Sequence, residues 1–224
     1  MIKVVLVDID DTLLDFDLCA NWSIQEASKE LGIDLPDHFF SVFWKINDGL
    51  WKDLEKGIVT LAQLSTKRWD ILFEKYQVDF DSKTFDTYYR KYLSLSGMHV
   101  EGAEELLSYL SQKYDVYSAS NGSYNQQINR LKLSGLSKYI KGNFISEKIG
   151  YSKPTKEYFN YCLEHLEDVK KDEIVMIGDS LSADMKGAHD FGIHCIWYNR
   201  LHEEVEDICA DYSVMHMIDI KNIL

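Results

Sequence analysis

Val4-Val5-Leu6-Val7-Asp8-Ile9-Asp10-Asp11-Thr12-Leu13 is the stretch on which the reading of this chain turns. Four consecutive apolar residues with no polar face suit a strand buried on both sides of a parallel sheet. The run stops at an acidic turn. If extended geometry persists through residue 10, residues i and i+2 share a side, so Asp8 and Asp10 face one point beyond the strand end. Paired carboxylates are what a nucleophile and a general acid require. The ordinary alternative is an Asp-rich turn that caps the next helix.

Three more runs of this kind follow: Val116-Tyr117-Ser118-Ala119 before Ser120, Ile174-Val175-Met176-Ile177 before Gly178, and Cys195-Ile196-Trp197-Tyr198 before Asn199. Helical periodicities alternate with them, at Ala103-Leu106-Leu107-Leu110, Ile128-Leu131, Tyr158-Phe159-Cys162-Leu163-Leu166 and Ala188-Phe191, the last stopped by Gly192. Strand and helix in alternation predict an α/β fold. Residues 16–95 differ. They carry apolar spacings such as Trp44-Leu50-Trp51-Leu54 and Leu61-Leu64-Trp69-Leu72-Phe73 and no convincing strand, which predicts a helical insertion after the first strand. The expected division is therefore 1–15 with 96–224 as the core and 16–95 as the insertion.

With 224 residues, 46% of them hydrophobic, the chain can bury a sizeable core. Its 37 acidic and 24 basic residues give a net charge of −13, a field that disfavours sequence-independent nucleic-acid binding, so any bound phosphate needs a local cation. No window is long enough for a membrane span, and the first apolar run is too short for a signal-peptide core, so a soluble cytoplasmic protein without membrane contact is expected. Cys19, Cys162, Cys195 and Cys209 are scattered with no zinc spacing and read as reduced thiols.

Ligands of open parallel sheets gather at the carboxyl ends of the strands, where three further polar clusters fall. Ser120-Asn121-Gly122 offers a hydroxyl, an amide and approachable backbone N–H groups at a helix start, which attracts phosphate. Gly150-Tyr151-Ser152-Lys153-Pro154 holds a lysine before a proline, placed to neutralise phosphoryl charge. Gly178-Asp179-Ser180-Leu181-Ser182-Ala183-Asp184 puts two carboxylates around a strand-to-helix turn, hard oxygen ligands of the kind Mg²⁺ takes. Each cluster alone has an ordinary explanation as a turn, a solvated lysine or a helix cap. Their order at successive strand ends is what argues for one site.

In these four segments the chain resembles the haloacid dehalogenase (HAD) phosphatases: Asp8-Ile9-Asp10-Asp11-Thr12 is similar to the family's first motif, Ser120-Asn121-Gly122 to its second, Lys153-Pro154 to its third, and Gly178-Asp179 through Asp184 to its fourth. The resemblance implies a Rossmann-like parallel-sheet core with a helical cap inserted after the first strand. It also implies roles. Asp8 would attack phosphorus, and Asp10 would protonate the leaving oxygen and then activate water. Ser120 and Lys153 would hold phosphoryl oxygens, with Asn121 helping through its backbone N–H. Mg²⁺ would be bound by the Asp8 carboxylate, the Asp10 carbonyl and Asp179, with Asp184 acting through water or by orienting those ligands.

A closer resemblance, to pyrimidine 5′-nucleotidases of the YjjG and YfnB type, rests on Asn47-Asp48-Gly49-Leu50-Trp51, Glu55-Lys56-Gly57, Ile145-Ser146-Glu147, Lys156-Glu157-Tyr158-Phe159-Asn160 and Cys195-Ile196-Trp197-Tyr198-Asn199. Two positions depart from those relatives: Arg200 stands where they often have proline, and Val100-Glu101-Gly102 lacks the proline common before that glycine. This resemblance implies a small phosphorylated metabolite as substrate, a pyrimidine nucleoside monophosphate such as UMP, dUMP or dTMP. Asn47, Trp51, Arg68 and Trp69 are the insertion residues that could stack on or hydrogen-bond a base, or equally pack its interior.

Other readings make distinct demands. A dehalogenase needs neither a metal nor a second carboxylate, so Asp10 and Asp179 count against it. A phosphomutase or sugar phosphatase shares all four motifs and is separated only by its products. A signalling receiver module also gathers Asp, Ser or Thr, Lys and Mg²⁺ at sheet ends. Its phosphorylated aspartate, however, is not on the first strand. A non-catalytic binding domain on the same scaffold would not need all four motifs intact.

Overall fold

Strands Val4–Val7 (β1), Asp115–Ser120 (β2), Gly142–Ile145 (β3), Ile174–Gly178 (β4), His194–Tyr198 (β5) and Tyr212–Val214 (β6) form one sheet, in the order β3-β2-β1-β4-β5-β6 and parallel throughout, in a computed structural model that describes residues 1–206 and 208–224. Among the described residues, helices run over Phe16–Leu31 (α1), Phe39–Glu55 (α2), Leu61–Tyr76 (α3), Ser82–Ser94 (α4), Ala103–Leu110 (α5), Tyr124–Leu133 (α6), Ser146–Ile149 (α7), Lys156–Glu164 (α8) and Lys186–Phe191 (α9). The residues divide into two compact units, 1–16 with 97–224, and 17–96. The α/β parallel sheet and the helical insertion after β1 agree with the sequence reading. β3 and β6 lay outside the expected strands. Gly142-Asn143-Phe144-Ile145 has only two large apolar residues, and β6 is a three-residue edge strand, so neither carries a readable periodicity.

All four residues of β1 are buried because the pleat serves two cores. Val5 and Val7 join Val116, Val175, Ile177 and Ile196 under α5, whereas Val4 and Leu6 join Met176, Cys195 and Trp197 under α8 and α9. In register, Val5 lies opposite Val116 on one side and Val175 on the other. The Asp8 N–H then continues the ladder onto the Ile177 carbonyl at 2.9 Å. Val7 lies opposite Ser118 and Ile177, so β1, β2 and β4 end within two residues of one another, and strand order reverses at β1, where ligands of such sheets bind.

In the second unit α3 starts at a capping box: Thr60 Oγ1 accepts from the Gln63 N–H at 3.2 Å while Gln63 Oε1 accepts from the Thr60 N–H at 2.8 Å. Its interior holds a polar knot. The Asp86 carboxylate accepts from Arg68 Nη2 at 2.7 Å, Trp69 Nε1 at 2.8 Å and Arg90 Nε at 2.6 Å, and Arg68 Nη1 also donates to Asn47 at 3.1 Å. The Arg68 guanidinium lies 4.8 Å from the Tyr89 ring centroid and 5.1 Å from that of Trp69. Asn47, Arg68 and Trp69 are thus occupied inside this unit, while Trp51 is half-buried against Leu50, Val59 and Leu64. The four cysteines are free thiols, and no helix among the described residues is long and apolar enough to cross a membrane.

Removing the acid from that knot leaves a buried guanidinium without its counter-ion. Asp86→Ala should therefore lower unfolding stability by about 3–5 kcal/mol. The measurement is the urea midpoint, and a loss no larger than that of an exposed ion pair, roughly 0–1 kcal/mol, would count against the knot as a structural centre.

Candidate active site

Three carboxylates meet past the ends of β1 and β4. Asp8, Asp179 and Asp184 each offer an oxygen within 4.8 Å of the others. Asp8 follows directly from β1. Asp179 precedes and Asp184 lies within a wide helical turn, Leu181–Met185, that leads into α9. Ser180 fixes this turn at both ends: its Oγ accepts from the Ala183 N–H at 3.1 Å and its N–H donates to Asp184 Oδ2 at 3.2 Å. Gly178 is required by space, since a Cβ there would stand 2.2 Å from Asp184 Oδ2. Thr12 Oγ1 donates to Asp179 at 3.1 Å, which ties the acidic turn after β1 to the β4 end.

Into this group reaches Lys153, only 2% exposed. Its Nζ donates to Asp8 Oδ1 at 2.5 Å, Asp184 Oδ1 at 2.6 Å and the Ala119 carbonyl at 2.7 Å, using all three ammonium hydrogens. The loop that carries it is held by Asn121, whose side chain makes a reciprocal pair with the Lys153 backbone: Nδ2 donates to the carbonyl and Oδ1 accepts from the N–H, both at 2.8 Å. Burial pushes the Asp8 carboxyl above its usual range, Lys153 pulls it back, and Asp184 and Asp10 add to the rise. Burial, then the neighbouring Asp8, Asp11 and Asp184, pushes Asp179 well up. Burial works against the Lys153 ammonium, but Asp184 and Asp8 outweigh it and raise its pKa. Excess negative charge among hard oxygens is the condition a divalent cation relieves. With metal–oxygen bonds of about 2.1 Å, Mg²⁺ can engage carboxylates at this spacing directly or through its waters.

Asp10 stands apart from the three. Its carboxylate turns toward α6, where Arg130 Nη1 donates to Oδ1 at 2.5 Å and Gln127 Nε2 to Oδ2 at 2.6 Å. Gln127 Nε2 also reaches Ser120 Oγ at 2.9 Å. The Asp10 carboxylate is thus held from α6 at both oxygens. Gly122 makes room for this arrangement, because a Cβ there would lie 2.9 Å from the Gln127 side chain. Sequence reasoning missed Gln127 and Arg130. The available signal was their i, i+3 spacing on the helix that follows Ser120-Asn121-Gly122. Arg200, one of the two positions that depart from the resembled relatives, donates from Nη1 to Asp11 Oδ1 at 2.9 Å and pairs through Nη2 with Asp15, bracing the turn after β1.

A family model described as haloacid dehalogenase-like hydrolase matches residues 2–192. The HAD-hydrolase YfnB of Bacillus subtilis is 32% identical, covering 99% of this chain and 95% of its own. Its magnesium-bound crystal structure superposes with a TM-score of 0.94 over 99% of this chain and 98% of that one. The pyrimidine 5′-nucleotidase PynA of Streptococcus pneumoniae is 34% identical over 99% of this chain and 97% of its own length. The pyrimidine 5′-nucleotidase YjjG of Escherichia coli is 26% identical over 98% and 96%.

The crowded carboxylates generate a stability prediction. At a hundredfold excess over its dissociation constant Mg²⁺ adds about 2.7 kcal/mol, which should raise Tm by roughly 5–10 °C over chelator-treated protein. Asp179→Asn relieves the repulsion and removes a candidate ligand, so it should raise the metal-free Tm and abolish the Mg²⁺ increment. An increment that survives in this variant would place the ion elsewhere.

Proposed function

The chain belongs to the haloacid dehalogenase-like hydrolase family, and we propose that within it this protein is a Mg²⁺-dependent phosphomonoesterase that works through a phosphorylated Asp8. One observation carries the reading: a nearly buried carboxylate at the end of β1, 2.5 Å from a buried ammonium and within 4.8 Å of two more carboxylates. An isolated acid would not need this surrounding. A nucleophile that must approach a phosphate dianion does.

In this reading a phosphoryl oxygen accepts one of the Lys153 hydrogens now shared with acids, and the Ser120 hydroxyl and the Asn121 N–H donate to phosphoryl oxygens as well. An Asp8 oxygen attacks phosphorus in line with the ester oxygen, the P–O bond to the leaving group breaks, and Asp10 supplies the proton that the departing alkoxide needs. Asp10, now a carboxylate, then accepts a proton from water as the water attacks the aspartyl-phosphate. Phosphate leaves, and the Asp8 carboxylate and the Asp10 acid are restored. Mg²⁺, held by Asp8, Asp179 and the Asp10 carbonyl with Asp184 beside them, would supply charge neutralisation on the phosphoryl oxygens.

The names of PynA and YjjG support a pyrimidine nucleoside monophosphate as substrate. With Asn47, Arg68 and Trp69 engaged within their own unit, the substrate class rests on the relatives and on a direct comparison. The expected order of kcat/KM is UMP above AMP and glucose 6-phosphate, measured as released phosphate. A preference for glucose 6-phosphate, or its conversion to an isomer, would favour a sugar phosphatase or a phosphomutase instead.

Two near-isosteric substitutions test the chemistry. Asp8→Asn should remove turnover, because an amide is no nucleophile. Asp10→Asn keeps the nucleophile and the backbone carbonyl but lacks a proton carrier. It should lower kcat by about 10²–10⁴-fold and leave a slowly decaying phosphoenzyme, visible with ³²P-labelled substrate. Equal residual turnover in both, with no labelled protein, would overturn the division of roles.

A further inference from the structure

We propose that Gln127 and Arg130 are positioning residues of this site, orienting the Asp10 carboxylate and turning the Ser120 hydroxyl toward substrate. The inference rests on the function proposed above, in which Asp10 carries the protons and Ser120 binds a phosphoryl oxygen. It adds two groups outside the four motifs.

Hydrogen-bond polarity orders these side chains. Arg130 is fully buried and its guanidinium can only donate. Its Nη1 donates to Asp10 Oδ1 at 2.5 Å and to Gln127 Oε1 at 2.9 Å. That second bond decides which way the Gln127 amide points, since the flipped amide would set an NH₂ against a guanidinium. With Oε1 committed, both amide hydrogens are left for Asp10 Oδ2 at 2.6 Å and Ser120 Oγ at 2.9 Å. Ser120 Oγ accepts from Gln127, so its own hydrogen remains for another acceptor, which the proposed reaction supplies as a phosphoryl oxygen. Polarity thus runs from Arg130 through Gln127 to both reacting groups.

The same bonds fix the carboxylate plane of Asp10. Each oxygen is held by a different residue, so rotation of the group must break one contact. The Asp10 side chain nevertheless stays 34% exposed, so it can still meet water or a leaving group. Gln127 and Arg130 sit one turn apart on the same face of α6, and the missing Cβ of Gly122 gives the amide its room. A buried arginine that uses Asp10 only as a counter-ion would show the Asp10 contact. It would have no need of the shared amide on Ser120.

Gln127→Met removes the amide with little change in volume and no change in charge. Arg130→Met and Arg130→Lys remove and retain the cation. Each would be compared with wild type for Tm, for Mg²⁺ affinity by calorimetry, and for steady-state and rapid-mixing kinetics. The substrates are the best nucleotide of the panel and p-nitrophenyl phosphate, whose leaving group needs no proton. For Gln127→Met, kcat on the nucleotide should fall by about 10²-fold, the cost of a misplaced reacting group, with Mg²⁺ affinity unchanged. On p-nitrophenyl phosphate the first release should stay fast and turnover become slow, giving a burst, because phosphoenzyme hydrolysis still needs Asp10. Arg130→Lys should recover part of the activity lost in Arg130→Met. Equal losses on both substrates without a burst, or a lowered Tm with kcat intact, would overturn the inference and leave a structural pair. If Arg130→Met does not fold, Gln127→Met decides. A wild type that releases phosphate from neither substrate overturns the proposed function itself, whereas an active wild type matched by active variants overturns only the positioning role.

Discussion

A buried ammonium binds three strand ends together. Lys153 Nζ contacts Asp8 after β1, the Ala119 carbonyl in β2 and Asp184 after β4, all within 2.7 Å. A cation withdrawn from water is tolerable only when its hydrogens are fully used, and buried acids are tolerable only beside it. The geometry of each partner is therefore conditional on the others. This mutual condition also leaves the acids in excess once Asp179 is counted, so the group that keeps the sheet ends together is one that invites a further cation.

Space enforces the arrangement as firmly as charge. Gly178 lets Asp184 turn back to the end of β4, where any Cβ would overlap its carboxylate. Gly187 lets α9 approach Pro154 and Phe159, with a built Cβ only 2.9 Å from the Pro154 Cα and 2.6 Å from the Phe159 ring. Gly122 does the same for Gln127. None of these three needs glycine for a positive φ; each needs it because another residue occupies the place of a side chain.

The molecule carries a net charge of −13, yet its site gathers cations. Lys153 serves the β1 and β4 ends, Arg130 serves Asp10, and Arg200 bridges Asp11 and Asp15. The net negative field disfavours an extended polyanion, and within the site the acids still outnumber these cations. The polar knot of the helical unit follows a related rule: Asp86 stands among Arg68, Arg90 and Trp69, so residues that could have served a ligand serve the packing.

The sequence by itself determined the four inner strands, the helical insertion and the order of the polar clusters, because each is written in contiguous residues: an apolar run, a turn, a helical period. β3 and β6 escaped it, since four and three residues at the sheet edges carry too little pattern and acquire their state from a neighbouring strand. Asp8, Asp179, Lys153 and Ser120 could be named as candidates from local context. What they touch could not. Lys153 meets Asp8 across 145 residues and Arg130 meets Asp10 across 120, separations bridged only by the parallel order of the sheet. On its own helix Gln127 is an unremarkable polar residue. Only tertiary structure, by setting α6 against the end of β1, decided that its amide would face both Asp10 and Ser120, because hydrogen-bond direction depends on which donor lies opposite and not on which residue comes next.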